Sequence, residues 1–270
     1  TISKLMRNGF MICDGSISGQ GTVLSINNNW VGSWHGNEVL LDASISVDGE
    51  KEVLENGHSY LGRDILFSKR SVLDNAYILN SKMNITQDRI DEFVLLQGLN
   101  ETKLCDVFYG FLGSRANRLT DYTAFGEDNS ILYNGQTNRD DNSEINLKPA
   151  IAVAQYDPLL NDGVLSVCTK GSNFGLKHFI WDRPFDNKLY ARFQSAEGAC
   201  SLQNLYEIGQ SLLFFDSTNE NWKADASNLL DKLLEETRCK NKISGDLNSD
   251  CKVNLEDFAI FAENWLKVKD

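Results

Sequence analysis

The stretch Val39-Leu-Leu41-Asp-Ala43-Ser-Ile45-Ser-Val47 decides the fold class. Its odd positions are apolar, and Asp42, Ser44 and Ser46 fall between them. Successive side chains of a strand point to opposite faces, so this period of two predicts a strand with one face buried and one wet. Short apolar runs of the same kind recur at 22–26, 76–85, 89–97, 103–111, 131–133, 151–156, 164–169, 177–181, 189–193, 202–208 and 211–215. Several are rich in β-branched or aromatic residues, as strands prefer. Turn clusters such as Asn27-Asn28-Asn29, Asn56-Gly57, Asn134-Gly135 and Asp162-Gly163 punctuate the series. Three prolines in the whole chain and no alternation of strand with helix predict a mainly β protein, a large antiparallel β-sandwich over residues 1–216.

Beyond 216 the period changes. Ser217-Thr-Asn-Glu220 matches a capping box, and Trp222, Ala226, Leu229, Leu230, Leu233 and Leu234 form one apolar stripe. The spacing predicts an amphipathic helix with a short tether over 217–240, packed on the sandwich, and a separate element over 241–270.

The 270 residues carry a net charge of −12, which disfavours phosphate backbones and anionic membrane surfaces as partners. No window approaches the roughly 18 apolar residues of a membrane helix. The chain starts at Thr1, which fits a processed product or a fragment. Six cysteines form no Cys-x-x-Cys pair, which argues against zinc or redox chemistry.

The last element is built around Asp246-Leu-Asn248-Ser-Asp250-Cys-Lys252-Val-Asn254-Leu-Glu-Asp257. Side-chain oxygens at positions 1, 3, 5, 9 and 12, with the Lys252 carbonyl at position 7, suit a loop wrapped around a hard cation. Leu255, Phe258, Phe261, Ala262, Trp265 and Leu266 then recur at helical spacing. Cys239 and Cys251 flank the loop entry, and a disulfide between them would tie the loop to the preceding helix. Calcium loops and disulfides both belong outside the reducing cytosol, so the reading is a secreted or cell-surface protein; a bacterial source is expected.

The run Gly245-Asp246-Leu-Asn248-Ser-Asp250-Cys-Lys252-Val-Asn254 resembles one type I dockerin repeat. That resemblance implies Ca2+ held by Asp246, Asn248, Asp250, Lys252, Asn254 and Asp257, and a cohesin-like or other extracellular protein as partner. The sequence departs from the pattern in having Cys251 at position 6 and one repeat where the family has two. Met83-Asn-Ile-Thr-Gln-Asp88-Arg89-Ile, followed by a strand and Gly98-Leu99-Asn100, resembles the galactose-mutarotase-like supersandwich, which implies a fold that handles carbohydrate.

Three stretches concentrate chemistry. Trp30-Val-Gly-Ser-Trp34-His35-Gly-Asn37-Glu38 clusters indoles, an imidazole and a carboxylate, a set suited to the C–H faces and hydroxyl rims of sugars. His178-Phe-Ile-Trp181-Asp182-Arg183 offers a second such corner, and Ser114-Arg115-Ala-Asn117-Arg118 offers arginines for a uronate carboxylate. The candidate ligand residues are therefore Trp34, His35, Trp181, Arg183 and Arg115. Against them stand structural readings: tryptophans filling the core, a corner closing two strands, and a solvated arginine loop.

No Gly-x-Ser-x-Gly elbow or His-x-x-x-His pair is present. The favoured reading is a calcium-binding, polysaccharide-binding sandwich. The alternatives are a polysaccharide lyase, epimerase or glycoside hydrolase, with His35 or His178 as base or two carboxylates at work, and a purely structural cell-surface component.

Overall fold

The computed structural model describes residues 4–7, 10–14, 20–26, 29–32, 35–55, 58–99, 104–115, 117–138, 143–170, 175–194, 205–240 and 258–259. In 4–22, 104–113, 115, 170, 175–177, 193–194 and 237–240 this covers the backbone alone. The strands are β1 (Lys4–Arg7), β2 (Phe10–Asp14), β3 (Gln20–Ile26), β4 (Asn29–Gly32), β5 (Glu38–Val47), β6 (Glu50–Glu52), β7 (Asp64–Leu73), β8 (Tyr77–Thr86) and β9 (Arg89–Gly98). They continue as β10 (Leu104–Arg115), β11 (Asp121–Phe125), β12 (Ile131–Gln136), β13 (Ser143–Asn146), β14 (Ala152–Asp157), β15 (Asp162–Lys170), β16 (Gly175–Asp182), β17 (Asp186–Gln194) and β18 (Leu205–Asp216). The helix α1 (Trp222–Lys240) follows.

The strands form a six-stranded sheet, β13-β16-β17-β10-β3-β4, a ten-stranded sheet, β12-β11-β14-β15-β18-β9-β8-β7-β5-β6, and the β1–β2 hairpin. Residues of both large sheets share the same apolar clusters, which makes them a sandwich. Leu24, Ile26 and Val31 of the smaller sheet pack with Tyr77, Leu79, Val94, Leu96, Tyr206 and Ile208 of the larger. Ile180 and Leu189 pack with Ala124 and Val153. The predicted antiparallel β-sandwich is the observed fold.

Its strands are less simply patterned than the sequence suggests. In β5 only Ile45 is buried, while Val39, Leu40 and Leu41 are 60, 58 and 52% exposed. A bulge between Leu40 and Asp42 breaks the alternation, and the neighbouring β6 reaches only Ile45–Val47, so among the described residues the start of β5 has a strand neighbour on one side only.

The clusters Asn134-Gly135 and Asp162-Gly163, expected as turns, lie inside β12 and β15. Their glycines face aromatic rings on the paired strand. A Cβ on Gly163 would come within 2.4 Å of Phe215, and one on Gly135 within 2.6 Å of the Tyr122 hydroxyl. Each glycine here leaves room for a cross-strand ring rather than a reversal of the chain. The predicted strands 202–208 and 211–215 are one strand, β18, running through Gly209. Strand β7, which the sequence reading missed, pairs with β5 and β8 over its full length.

The chain divides into two compact units, Thr1–Ala226 and Ser227–Asp270. In the first, Trp222 stacks on Tyr156 with centroids 5.2 Å apart and planes 4° from parallel, and Ala226 is buried. The helix begins at Trp222, so Ser217 is not its N-cap. The Thr218 carbonyl accepts the Asn221 and Trp222 amides, and the Ser217 hydroxyl donates to Asp225 in the first turn. In the second unit the remaining turns of α1 bury Leu230 and Leu233, with Leu229 and Leu234 half-buried. The cation loop with Asp246, Asn248, Asp250, Lys252, Asn254 and Asp257 lies outside the described residues, as do Cys251 and the Cys239 side chain.

Candidate functional site

The outer face of the six-stranded sheet carries a cleft of about 450 Å³, lined by Val23, Trp30, His35, Glu144, Phe179, Trp181, Tyr190 and Arg192. Alternation along the strands puts these residues here. On β16, His178 and Ile180 point into the core, which leaves Phe179 and Trp181 for the other face. On β17, Leu189 and Ala191 are buried inward, and Tyr190 and Arg192 alternate with them. On β3 and β4, Leu24 and Val31 are core, and Val23 and Trp30 line the cleft.

Register orders these side chains into rows. Glu144 of β13 stands opposite Trp181, and Trp181 opposite Lys188. Phe179 stands opposite Tyr190, and their rings stack at 4.8 Å and 9°. Both are nearly buried, so this pair is the cleft's floor. Trp181 meets Tyr190 at 6.5 Å, tilted by 41°. Trp30 is 42% exposed and lies 6.1 Å from His35. It is the more open of the two indole platforms, because one face of Trp181 is covered by the Arg183 guanidinium at 4.8 Å. Burial raises the Tyr190 phenol far above its usual range, so its hydroxyl keeps its proton and can donate.

Of the five ligand residues expected from sequence, the structure brings two into this cleft, His35 and Trp181. Arg183 closes the corner between β16 and β17: its guanidinium donates from Nε and Nη2 to both oxygens of buried Asp186 and also lies over the Phe185 ring. Asp182 accepts the Asn138 amide at 2.9 Å. Trp34 and the Arg115 side chain lie outside the described residues.

The second arginine of the Arg115 loop, Arg118, is committed to an ion pair with Asp157, so it is part of the scaffold rather than a solvated cation. His178 is buried completely and faces Ala150 and Cys168 rather than the cleft. It is a core histidine, and the base role considered for it has no opening to substrate in this arrangement.

Trp30, Glu144, Tyr190 and Arg192 were not among the five, although Trp30 belonged to the quoted stretch. The signal for Tyr190 and Arg192 was the alternation Leu189-Tyr-Ala191-Arg, in which the polar positions share a face. Glu144 carried no such signal, since β13 is four residues long. Among the described residues no cluster of His, Cys, Asp or Glu could hold a metal ion.

The chain has matches among solved structures. The α-N-acetylgalactosaminidase NagBb from Bifidobacterium bifidum, in complex with GalNAc, matches with a TM-score of 0.51 at 14% identity, over 87% of this chain and 36% of that one. Its structural neighbours are carbohydrate-processing proteins. They include the α-galactosidase from Lactobacillus brevis (TM-score 0.47, 10% identity, 81% of this chain and 31% of that one). A putative aldose 1-epimerase from Escherichia coli K12 also matches (0.44, 8%, 59% and 67%). The chain spans little more than a third of the NagBb length, and what it shares at this identity is the fold. No family model and no curated protein matches the sequence.

Proposed function

We propose that the sandwich binds a saccharide in the cleft on the outer face of its six-stranded sheet. The observation that carries the proposal is the lining of that cleft. An open indole, Trp30, and a stacked aromatic floor, Phe179 and Tyr190, offer apolar surface to the C–H face of a sugar ring. His35, Glu144, Arg192 and the Tyr190 hydroxyl stand around it as hydrogen-bonding groups for the hydroxyl rim. The volume lies within the range of small-ligand sites. A fold shared with a GalNAc-bound enzyme accords with this reading.

The test is affinity on a panel of soluble polysaccharides. Trp30→Ala is expected to weaken the best-bound glycan about 10-fold, the size of one lost aromatic platform, without changing the melting temperature. Affinity unchanged in both Trp30→Ala and Tyr190→Phe/Trp30→Ala would remove the cleft from consideration.

A catalytic version of this reading rests on a second observation, that Glu144 and His35 line the same cleft. A carboxylate and an imidazole are the usual proton-transfer groups of sugar chemistry. Turnover of a bound glycan, abolished by Glu144→Gln with binding retained, would establish it.

For residues 246–257 the proposal is a Ca2+ loop of the dockerin type in an extracellular protein that docks to a cohesin-like partner. The support is the ligand spacing in the sequence. Calcium at 100 times its Kd should stabilise the C-terminal unit by about 2.7 kcal/mol over the EDTA-treated protein. Asp246→Ala/Asp250→Ala is expected to abolish that difference in thermal unfolding, and a variant as calcium-sensitive as the parent would refute the loop.

A further inference from the structure

The lining of the cleft follows a diagonal of the sheet. Trp30 shares its row with Ser25, Asp106, Gln194 and Gly175, so it stands level with the start of β16. Val23 and Arg192 fall in the row of Lys177, Tyr190 and Phe179 in the next row on that face, and Trp181 and Glu144 in the one after. Moving up the rows therefore also moves across the sheet, from β4 through β3 and β17 to β16 and β13. Among the described residues β4 and β13 are the two edge strands, so the lining runs from one edge to the other. Trp30 and Trp181 lie four strand spacings and six residues apart; at about 4.8 Å and about 3.3 Å each, that diagonal is on the order of 25 Å, about five times the length of a sugar ring. A volume of about 450 Å³ drawn out over such a length is a narrow trough rather than a round pocket.

We infer that the trough takes an internal stretch of an extended, linear glycan, about four sugar units laid diagonally across the strands, with Trp30 and Trp181 as its end platforms. The inference rests on the saccharide-binding reading and narrows its ligand from a sugar to a chain.

Three features favour a chain over a single sugar. Apolar surface recurs along the diagonal instead of gathering at one point: Trp30 comes first, then Val23 packed with the Phe179–Tyr190 pair, then Trp181 against the same cluster. Each ring of an extended glycan presents a C–H face, so surfaces in such a line can stack successive units. The lining also reaches both edge strands, where the further units of a long chain can run on past either end. Finally, the end platforms are set before the ligand arrives. The Arg183 guanidinium holds Trp181 from one face at 4.8 Å, and Trp30 has His35 beside it at 6.1 Å. Aromatic groups fixed in this way lose little freedom on binding, so an extended site of several weak contacts keeps its affinity.

The experiment is a length series: cello-, xylo- and manno-oligosaccharides from the monosaccharide to the hexasaccharide, with their soluble parent polymers, titrated into the full chain by calorimetry. In at least one series affinity is expected to rise about 10- to 100-fold from the disaccharide to the tetrasaccharide, the value of one or two added stacking platforms, and to level off by the hexasaccharide. The polymer should bind as tightly per site as the hexasaccharide. Trp30→Ala should lower hexasaccharide affinity about 10-fold and move the plateau to a shorter chain, with the melting temperature unchanged.

A monosaccharide or disaccharide bound as tightly as the hexasaccharide overturns the inference and leaves saccharide binding standing. So does a polymer that binds more weakly per site than its hexasaccharide, since that marks a site for chain ends. A Trp30→Ala loss of the same factor at every length also overturns it, because Trp30 would then not be an end platform. The same holds if another polysaccharide of the soluble panel binds while all three series fail. No binding to any series or to the panel overturns both readings together.

Discussion

Replacing Arg118 by Met is expected to destabilise the sandwich by about 3–5 kcal/mol, the usual cost of stranding one partner of a buried ion pair. Arg118 Nε donates to Asp157 Oδ2, and the Asp157 side chain is almost wholly buried. The other carboxylate oxygen accepts the Leu159 and Leu160 amides, so Asp157 also shapes the turn that leads from β14 into β15. Without the guanidinium the carboxylate keeps two amide partners but not its counter-charge.

The double variant Arg118→Met/Asp157→Asn removes the buried charge and keeps an oxygen for the two amides. It should recover more than half of the loss. Urea unfolding of parent, single and double variants gives the comparison, with slopes checked so that midpoints report stability alone. A single variant within 1 kcal/mol of the parent would show that water reaches Asp157.

Lowering the pH from about 6.5 to 4 is expected to cost the sandwich about 3 kcal/mol through one residue, His178. Its imidazole is completely buried between the sheets, and burial pulls its pKa down from 6.5 to about 4 against the contribution of the Ala150 carbonyl. That carbonyl lies 2.6 Å from Nδ1 and can only accept, so Nδ1 carries the proton and Nε2, 3.7 Å from the Cys168 sulfur, has none.

An unfolded chain protonates this histidine near pH 6.5, and the folded chain only near 4. Between these values the unfolded state binds more protons, so stability is full above the window and declines as pH falls through it. Glu92 runs the other way. It is buried in the same core with Ser81 donating to it, and burial raises its pKa, so its contribution weakens as pH rises above the ordinary carboxylate range. The measurement is therefore a difference. Stability of the parent minus that of His178→Gln, taken from pH 7 to pH 4, cancels Glu92 and should shrink by the stated amount. A difference independent of pH would mean that His178 is charged in the folded state or reaches water.

Much of the architecture was legible in the sequence because it depends on local period and turn chemistry. The runs near 89–97, 151–156 and 177–181 became strands close to those bounds, and the change to a 3.6-residue period marked α1. Errors arose where glycine has two meanings. Gly163 and Gly135 read as turns because nothing local reveals that Phe215 and Tyr122 lie across from them. Strand β7 was hidden because Ser68-Lys-Arg-Ser interrupts its apolar positions, and β8 on one side with β5 on the other stabilises it regardless.

For the cleft the balance shifts further. The aromatic richness of the stretches around Trp30 and Trp181 was visible, but two similar stretches 150 residues apart in sequence carry no sign that they meet. Arg118 and His178, both chemically attractive as letters, proved to be scaffold, one paired with Asp157 and the other sealed between the sheets.

By itself the sequence determined the class of the protein: mainly β, strongly acidic, with an amphipathic helix late in the chain and a cation-type ligand spacing after it. These follow from composition and from short-range periodicity, which every residue carries with it. Only the tertiary structure decided which face of each strand is core and which is cleft. Long-range strand order sets β13, β16 and β17 in one sheet with β3 and β4, across β10, and a shift of one residue in register would exchange the two faces. The site of Trp30, Glu144, Tyr190 and Arg192 exists because that order, unlike period, is a property of the whole chain.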